Sequence, residues 1–219
     1  MAERDTYHHG RLREALIACG IQILDEQGIG SLTLRSVTRA AGVSPGAPRH
    51  EFGDLNGLLS AIAVQGLSEM TQLRKMAVLA ESTAVGRLKA VMRVYVDFAV
   101  QRPGMFWVMV GPGISDRHLR PDVAKAAQGS YLVLEQHVYA YLMSFNLGRA
   151  CTAELVQCAW SAVHGVSMLF SGRPHGPSVA APMPFIQWRE SVLDFALAGL
   201  RTRGQEVSLA ATPDSSIQA

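Results

Sequence analysis

Apolar residues recur at spacings of three and four along most of this chain, and no useful stretch alternates apolar with polar, so the pattern predicts helices and no sheet. Leu12, Ala15, Leu16, Cys19 and Ile23 mark a first helix, which Gly28 ends. Thr33 caps a second helix carrying Leu34, Val37 and Ala41 and closed by Gly42. Ser44 followed by Pro45 is an N-cap and first-position pair that opens a brief third helix, to about Phe52. Gly53 then breaks the chain, and Asp54 caps a longer helix through Leu58, Leu59, Ile62, Met70 and Leu73. Further helices are predicted over 85–101, 121–145, 152–170 and 184–203, with a short apolar segment at 105–110, a loop at 111–113 and a Gly/Pro-rich stretch at 172–184. Beyond Gly204 the chain turns polar and reads as a loose tail.

The 219 residues are 48% apolar, enough for a sizeable core. No uninterrupted apolar run reaches the ~20 residues of a membrane span, and the opening MAERDTYHHGR is charged where a secretory leader would be apolar. The expectation is a cytoplasmic protein without a membrane partner. Cys19, Cys151 and Cys158 are too few and scattered for a disulfide framework and read as reduced core residues. Net charge is +2, and over residues 1–57 six arginines against seven acids leave −1, so bulk electrostatics announces no nucleic-acid partner.

What points to DNA is geometry. Residues 33–52 supply two short capped helices joined by a Gly-containing turn, with Leu34, Val37, Ala41, Val43 and Phe52 placed to lock them at a steep angle, as a helix-turn-helix requires. The outward positions of the second helix are then free to enter a major groove about 12 Å wide. Gly46 and Ala47 are small enough for close backbone approach, and the helix N-terminus adds partial positive charge.

The run YHHGRLREALIACGIQILDEQGIGSLTLRSVTRAAGVSPGAPRHEFGDLNGLLSAI resembles the N-terminal domain of TetR-type regulators over about residues 7–65. The resemblance implies an all-α fold: a three-helix DNA-binding domain (8–68), a long connecting helix, a ligand-binding and dimerisation domain (69–203) and a flexible tail (204–219). It implies a homodimer on a palindromic operator, its recognition helices about 34–36 Å apart, and a repressor released by a small apolar effector. By carry-over Thr33, Arg35, Ser44, Pro45, Gly46, Ala47, Arg49 and His50 contact DNA, with His9 and Arg13 as phosphate neighbours. Where the family commonly has an aromatic, a His and a Lys that touch phosphates, this chain has Arg49, Glu51 and Leu55. Arg49 can still pair with a phosphate or a guanine edge, but Glu51 repels the backbone and Leu55 supplies no donor, so these two predict weaker general affinity or an unusual operator and motivate an alternative, a ligand-binding helical dimer whose DNA binding is weakened or lost.

In the C-terminal half, AWSAVHGVSML resembles a Trp-His-Gly signature of one domain type in the same family. Trp160 and His164 share a helical face. Because Val156, Ala159, Val163, Val166 and Phe170 make this helix apolar nearly all round, burial on more than one side is expected, economically in a dimer interface with the helix at 186–200. Tyr95, Phe98, Phe106, Met109, Tyr131, Leu134, Trp160 and His164 are the candidate ligand-binding set, since large adaptable side chains suit an apolar pocket. No nucleophile with its base, phosphate loop or metal-ligand spacing stands out, so the reading is not an enzyme and includes no cofactor or metal; among His8, His9, His50 and His118, the adjacent pair points to different helical faces and His118 is isolated.

Overall fold

A computed structural model of the protein describes residues 2–111, 120–172 and 183–210, with side chains from Arg11 onward. Among these residues the chain is helical, without strands: α1 (Ala2–Gln27), α2 (Leu34–Ala41), α3 (Ala47–Phe52), α4 (Leu55–Leu79), α5 (Ala84–Gln101), α6 (Pro103–Val110), α7 (Pro121–Met143), α8 (Ala153–Phe170) and α9 (Phe185–Ala210). The all-α expectation holds. The chain forms two compact units, one of Met1–Glu69 with Gln101–Gln128 and one of Met70–Val100 with Gly129–Ala219, so α4 runs from the first into the second.

The first unit buries Leu16, Ile17, Ile23 and Leu24 of α1, Val37 of α2, Leu58, Leu59 and Ile62 of α4, and Met105, Phe106 and Met109 of α6. Chain order alone would leave α6 with the C-terminal residues. It packs instead on α1, where Gly104 permits the approach: a Cβ there would lie 2.5 Å from the Leu24 carbonyl oxygen. Arg102 fixes the junction, pairing with Asp25 of α1 and Glu69 of α4, each at 3.0 Å. Met105 and Met109 lie against Gly66 of α4.

In the second unit α8 and α9 pack side by side, burying Val156, Ala159, Val163 and Phe170 against Leu193, Leu197 and Leu200. Tyr141 of α7 donates its hydroxyl to the Leu197 carbonyl at 2.8 Å. An ion-pair network joins α5 to α9. Arg93 grips Glu190 through two hydrogen bonds of 2.9 Å, while Arg189 pairs with Asp97 and Lys89 with Asp194. The guanidinium of Arg93, chiefly through those bonds, holds the Glu190 carboxyl down to about 2.

Two local expectations need correction. The tail does not begin at Gly204, because α9 continues to Ala210; Gly204 is buried, and the absence of a side chain lets α9 close on Leu142, 3.0 Å from where a Cβ would stand. The cysteines are free but none is buried, Cys158 being exposed. Trp160 and Leu169 of α8 are exposed within one chain. The stretch at 173–182, His118, and the side chains of His8 and His9 lie outside the described residues.

Candidate functional site

The candidate DNA face is built on α2. Thr33 closes a reciprocal cap: its Oγ1 accepts the Ser36 amide at 3.0 Å, and the Ser36 hydroxyl accepts the Thr33 amide at 2.9 Å. At the other end Gly42 takes the left-handed conformation, φ 63°, that ends a helix cleanly. Val37 is buried between these caps, which fixes the rotation of α2 and turns Arg35 and Arg39 outward.

The next helix opens later than Ser44 and Pro45 predict. Ser44 to Ala47 form a turn, closed by the Ala47 amide on the Ser44 carbonyl at 3.1 Å, and Gly46 is the N-cap. Pro48 occupies the first turn of α3 and is buried. Either proline satisfies the rule that a first-turn residue needs no amide hydrogen, and burial of Pro48 decides between them. It is a lock residue the sequence reading missed. Ser44, Pro45, Gly46, Arg49 and His50 are exposed, and Ala47 is half-buried.

Arg13 is not placed as a free phosphate ligand. Its Nη1 donates to the Glu51 carbonyl at 2.9 Å and its guanidinium lies 4.6 Å from the centre of the Phe52 ring, tying α1 to the end of α3. The Glu51 carboxylate sits 3.8 Å from Nδ1 of His50 with its side chain only 10% exposed, so it does not belong to the outward face. That removes one of the two grounds for weakened DNA binding and leaves Leu55, which is half-buried. The outward face of 33–50 presents Arg35, Arg39, Arg49 and His50, and this run contains no Asp or Glu. The averaged charge of residues 1–57 hid that local imbalance. Arg39 was missed for the same reason.

The candidate ligand set draws on residues of both units. Phe106 and Met109 are buried in the first unit, whereas Tyr95, Phe98, Tyr131, Leu134, Trp160 and His164 belong to the second. Within the second, the Tyr95 hydroxyl meets Nδ1 of His164 at 2.8 Å, and the His164 ring stacks on Trp160 with centroids 4.9 Å apart. Burial pushes the Tyr95 phenol up to about 12 and holds His164 below its ordinary value, so both are uncharged at neutral pH. Phe98 and Leu134 are buried and Tyr131 is half-buried in the same unit.

Beside them stands a residue the sequence reading passed over. Arg74 of α4 is 2% exposed, stacks its guanidinium 5.1 Å from the Tyr95 ring centre, and donates from Nη1 to the Ser130 carbonyl and hydroxyl oxygens at 2.9 and 3.0 Å. Its position carried a signal: it falls four residues after Met70 and seven after Leu67, on the stripe α4 buries. Among the described residues no three His, Cys, Asp or Glu side chains gather as a metal site, and no helix is long and apolar enough to cross a membrane.

The family described as "Tetracyclin repressor-like, C-terminal domain" matches residues 88–187. The chain is 40% identical over 60 residues to the HTH-type transcriptional regulator BetI of Stenotrophomonas maltophilia, a match spanning 27% of this chain and 31% of that relative. With BetI of Paraburkholderia phymatum it shares 29% identity over 170 residues, 73% of this chain and 78% of the other. A solved bacterial regulatory protein in the tetR family from Rhodococcus RHA1 superposes with a TM-score of 0.62 at 20% identity, covering 86% of this chain and 96% of that one, which is a likeness of fold.

Proposed function

We propose that this chain, which belongs to the TetR family of transcriptional regulators, binds a palindromic operator as a homodimer through α2 and α3 and acts as a repressor released by a small apolar-bodied effector. The observation that carries the reading is the outward face of residues 33–50, where Arg35, Arg39 and Arg49 surround an exposed turn and no acid intervenes. Phosphates dominate nucleic-acid affinity and base edges supply specificity. Arg35 and Arg39 on α2 suit the first task, and Arg49 on α3 suits a guanine edge.

Dimerisation through α8 and α9 is supported by what one chain leaves uncovered: Phe195 of α9 is 79% exposed, and Leu169 of α8 is also exposed. The effector belongs to the second unit, around Tyr95, His164 and Trp160. An effector that favours one of two states of the dimer changes operator affinity by the same coupling free energy. The cytoplasm is the compartment such a regulator requires, and no catalytic step enters the reading.

Selection of bound sequences from a random DNA pool tests the proposal. The expected result is a palindrome whose half-sites lie about one helical turn, ~34–36 Å, apart. Recovery of no enriched sequence by a folded dimer would instead establish the ligand-binding dimer without DNA.

A further inference from the structure

Buried polar side chains among the described residues are Arg74, Ser130 and Ser167, and of these only Arg74 is a cation. Ionised groups removed from water are ordinarily paired with an opposite charge, because an uncompensated one is expensive to hold there. Among the described residues Arg74 has no such pairing. No carboxylate among the described residues forms an ion pair with it, and its Nε has no hydrogen-bond partner. The neighbouring Tyr95 phenol does not supply the counter-charge, since burial keeps it protonated. Desolvation draws the guanidinium down to about 10, still a cation at neutral pH.

Ser130 uses Nη1, which leaves the edge formed by Nε and Nη2. Two parallel N–H groups on one edge of a guanidinium match the two oxygens of a carboxylate. The Tyr95 ring lies under the guanidinium, and from it the contacts run to neutral His164, bonded to the Tyr95 hydroxyl, and to Trp160, stacked on His164, with no ion pair to Arg74 among the described residues. One buried cation with uncharged aromatic neighbours suits a singly charged head on an apolar body. A phosphate, carrying closer to two charges, would ask for a further cation that this set lacks.

We propose that the second unit binds an organic monocarboxylate, with the carboxylate on the Nε edge of Arg74 and the apolar body against the Tyr95, His164 and Trp160 rings. This rests on reading that unit as the effector-binding body, and it names the effector's chemical class. Arg74 is the anchor, Ser130 holds the guanidinium in orientation, and the aromatic residues select the body.

The test uses the full chain without DNA, by thermal shift and calorimetric titration with acetate, benzoate and decanoate against acetamide, benzamide and decanamide at matched ionic strength. The acids are expected to bind, acetate more weakly than the two with bodies, and the amides are not. Arg74→Met is expected to keep its helical circular dichroism, to melt no lower than the parent, and to weaken acid binding by about thirtyfold or more. Acids and amides that protect equally, acids that bind Arg74→Met unchanged, or a parent that none of the acids protects would each overturn the proposal and leave Arg74 as a clamp on Ser130. Should Arg74→Met fail to fold, the acid-against-amide comparison on the parent still decides, with Ser130→Ala as the second variant, expected to fold and bind the acids more weakly. Because the readout is binding to the protein, a chain that takes carboxylates yet selects no operator would sink the regulator reading alone.

Discussion

Arg13 lays its guanidinium 4.6 Å from the centre of the Phe52 ring, so the first helix of the protein holds the last residue of the short helix that faces outward. Its bond to the Glu51 carbonyl makes the contact a two-point clamp. Arg13→Ala is expected to lower the stability of the first unit by about 1 kcal/mol, the scale of an exposed cation–π contact with one hydrogen bond. Operator affinity falls with it while the salt dependence stays as it was. A drop of about 0.9 in the salt slope would show Arg13 on a phosphate instead and refute the clamp.

Arg35 and Arg49 are both exposed but stand on different helices, and they are expected to separate by task. Arg35→Ala weakens binding to all sequences alike and lowers the salt slope by about 0.9. Arg49→Ala costs about 1–3 kcal/mol at the cognate site and relaxes preference at one base pair. Binding measured over a series of salt concentrations on cognate and scrambled duplexes distinguishes them; identical behaviour of the two variants would contradict the assignment.

Glu190 is expected to make the second unit sensitive to acid. Its carboxyl ordinarily titrates near 4.5 and is held down to about 2 by hydrogen bonds from Arg93 and the charge of Arg189. A depressed carboxyl stabilises the folded state above its unfolded value, and that contribution disappears as pH falls from about 4.5 through 2. Glu190→Gln is therefore expected to be less stable than the parent at pH 7 and to show a flatter loss across that acid window. Parallel denaturation midpoints for the two proteins from pH 7 down to pH 3 would rule this out.

Phe195 tests the dimer. A Phe 79% exposed on a helix already packed on its other side is apolar surface awaiting cover. Phe195→Asp is expected to shift the protein to monomer in sedimentation while leaving its helical content intact, and to abolish operator binding that needs two linked recognition helices. A dimer that survives the change places the interface elsewhere.

The helices and their ends were legible along the chain, because they depend on residues within about four positions of one another. Thr33 caps α2, Asp54 receives the Gly57 amide at 2.8 Å, Thr152 caps α8, and Gly42 ends α2, each as local chemistry predicts. Where two local signals competed, tertiary burial decided: Pro48, not Pro45, sits in the first turn of α3, and it is buried. Gly204 read as a stop and proved to be a contact for Leu142.

By itself, then, the order of residues determined that the protein is helical, where most of its helices begin and end, and that residues 33–52 form two short helices about a glycine turn. Only the tertiary structure decided that α6 lies on α1, that the Glu51 carboxylate turns inward, and that Arg74 meets Ser130, 56 positions further along. The reason is that a helix records its own periodicity, whereas the partner of each apolar stripe is chosen by packing among segments far apart in the chain. A buried cation shows its missing partner only once that packing is known.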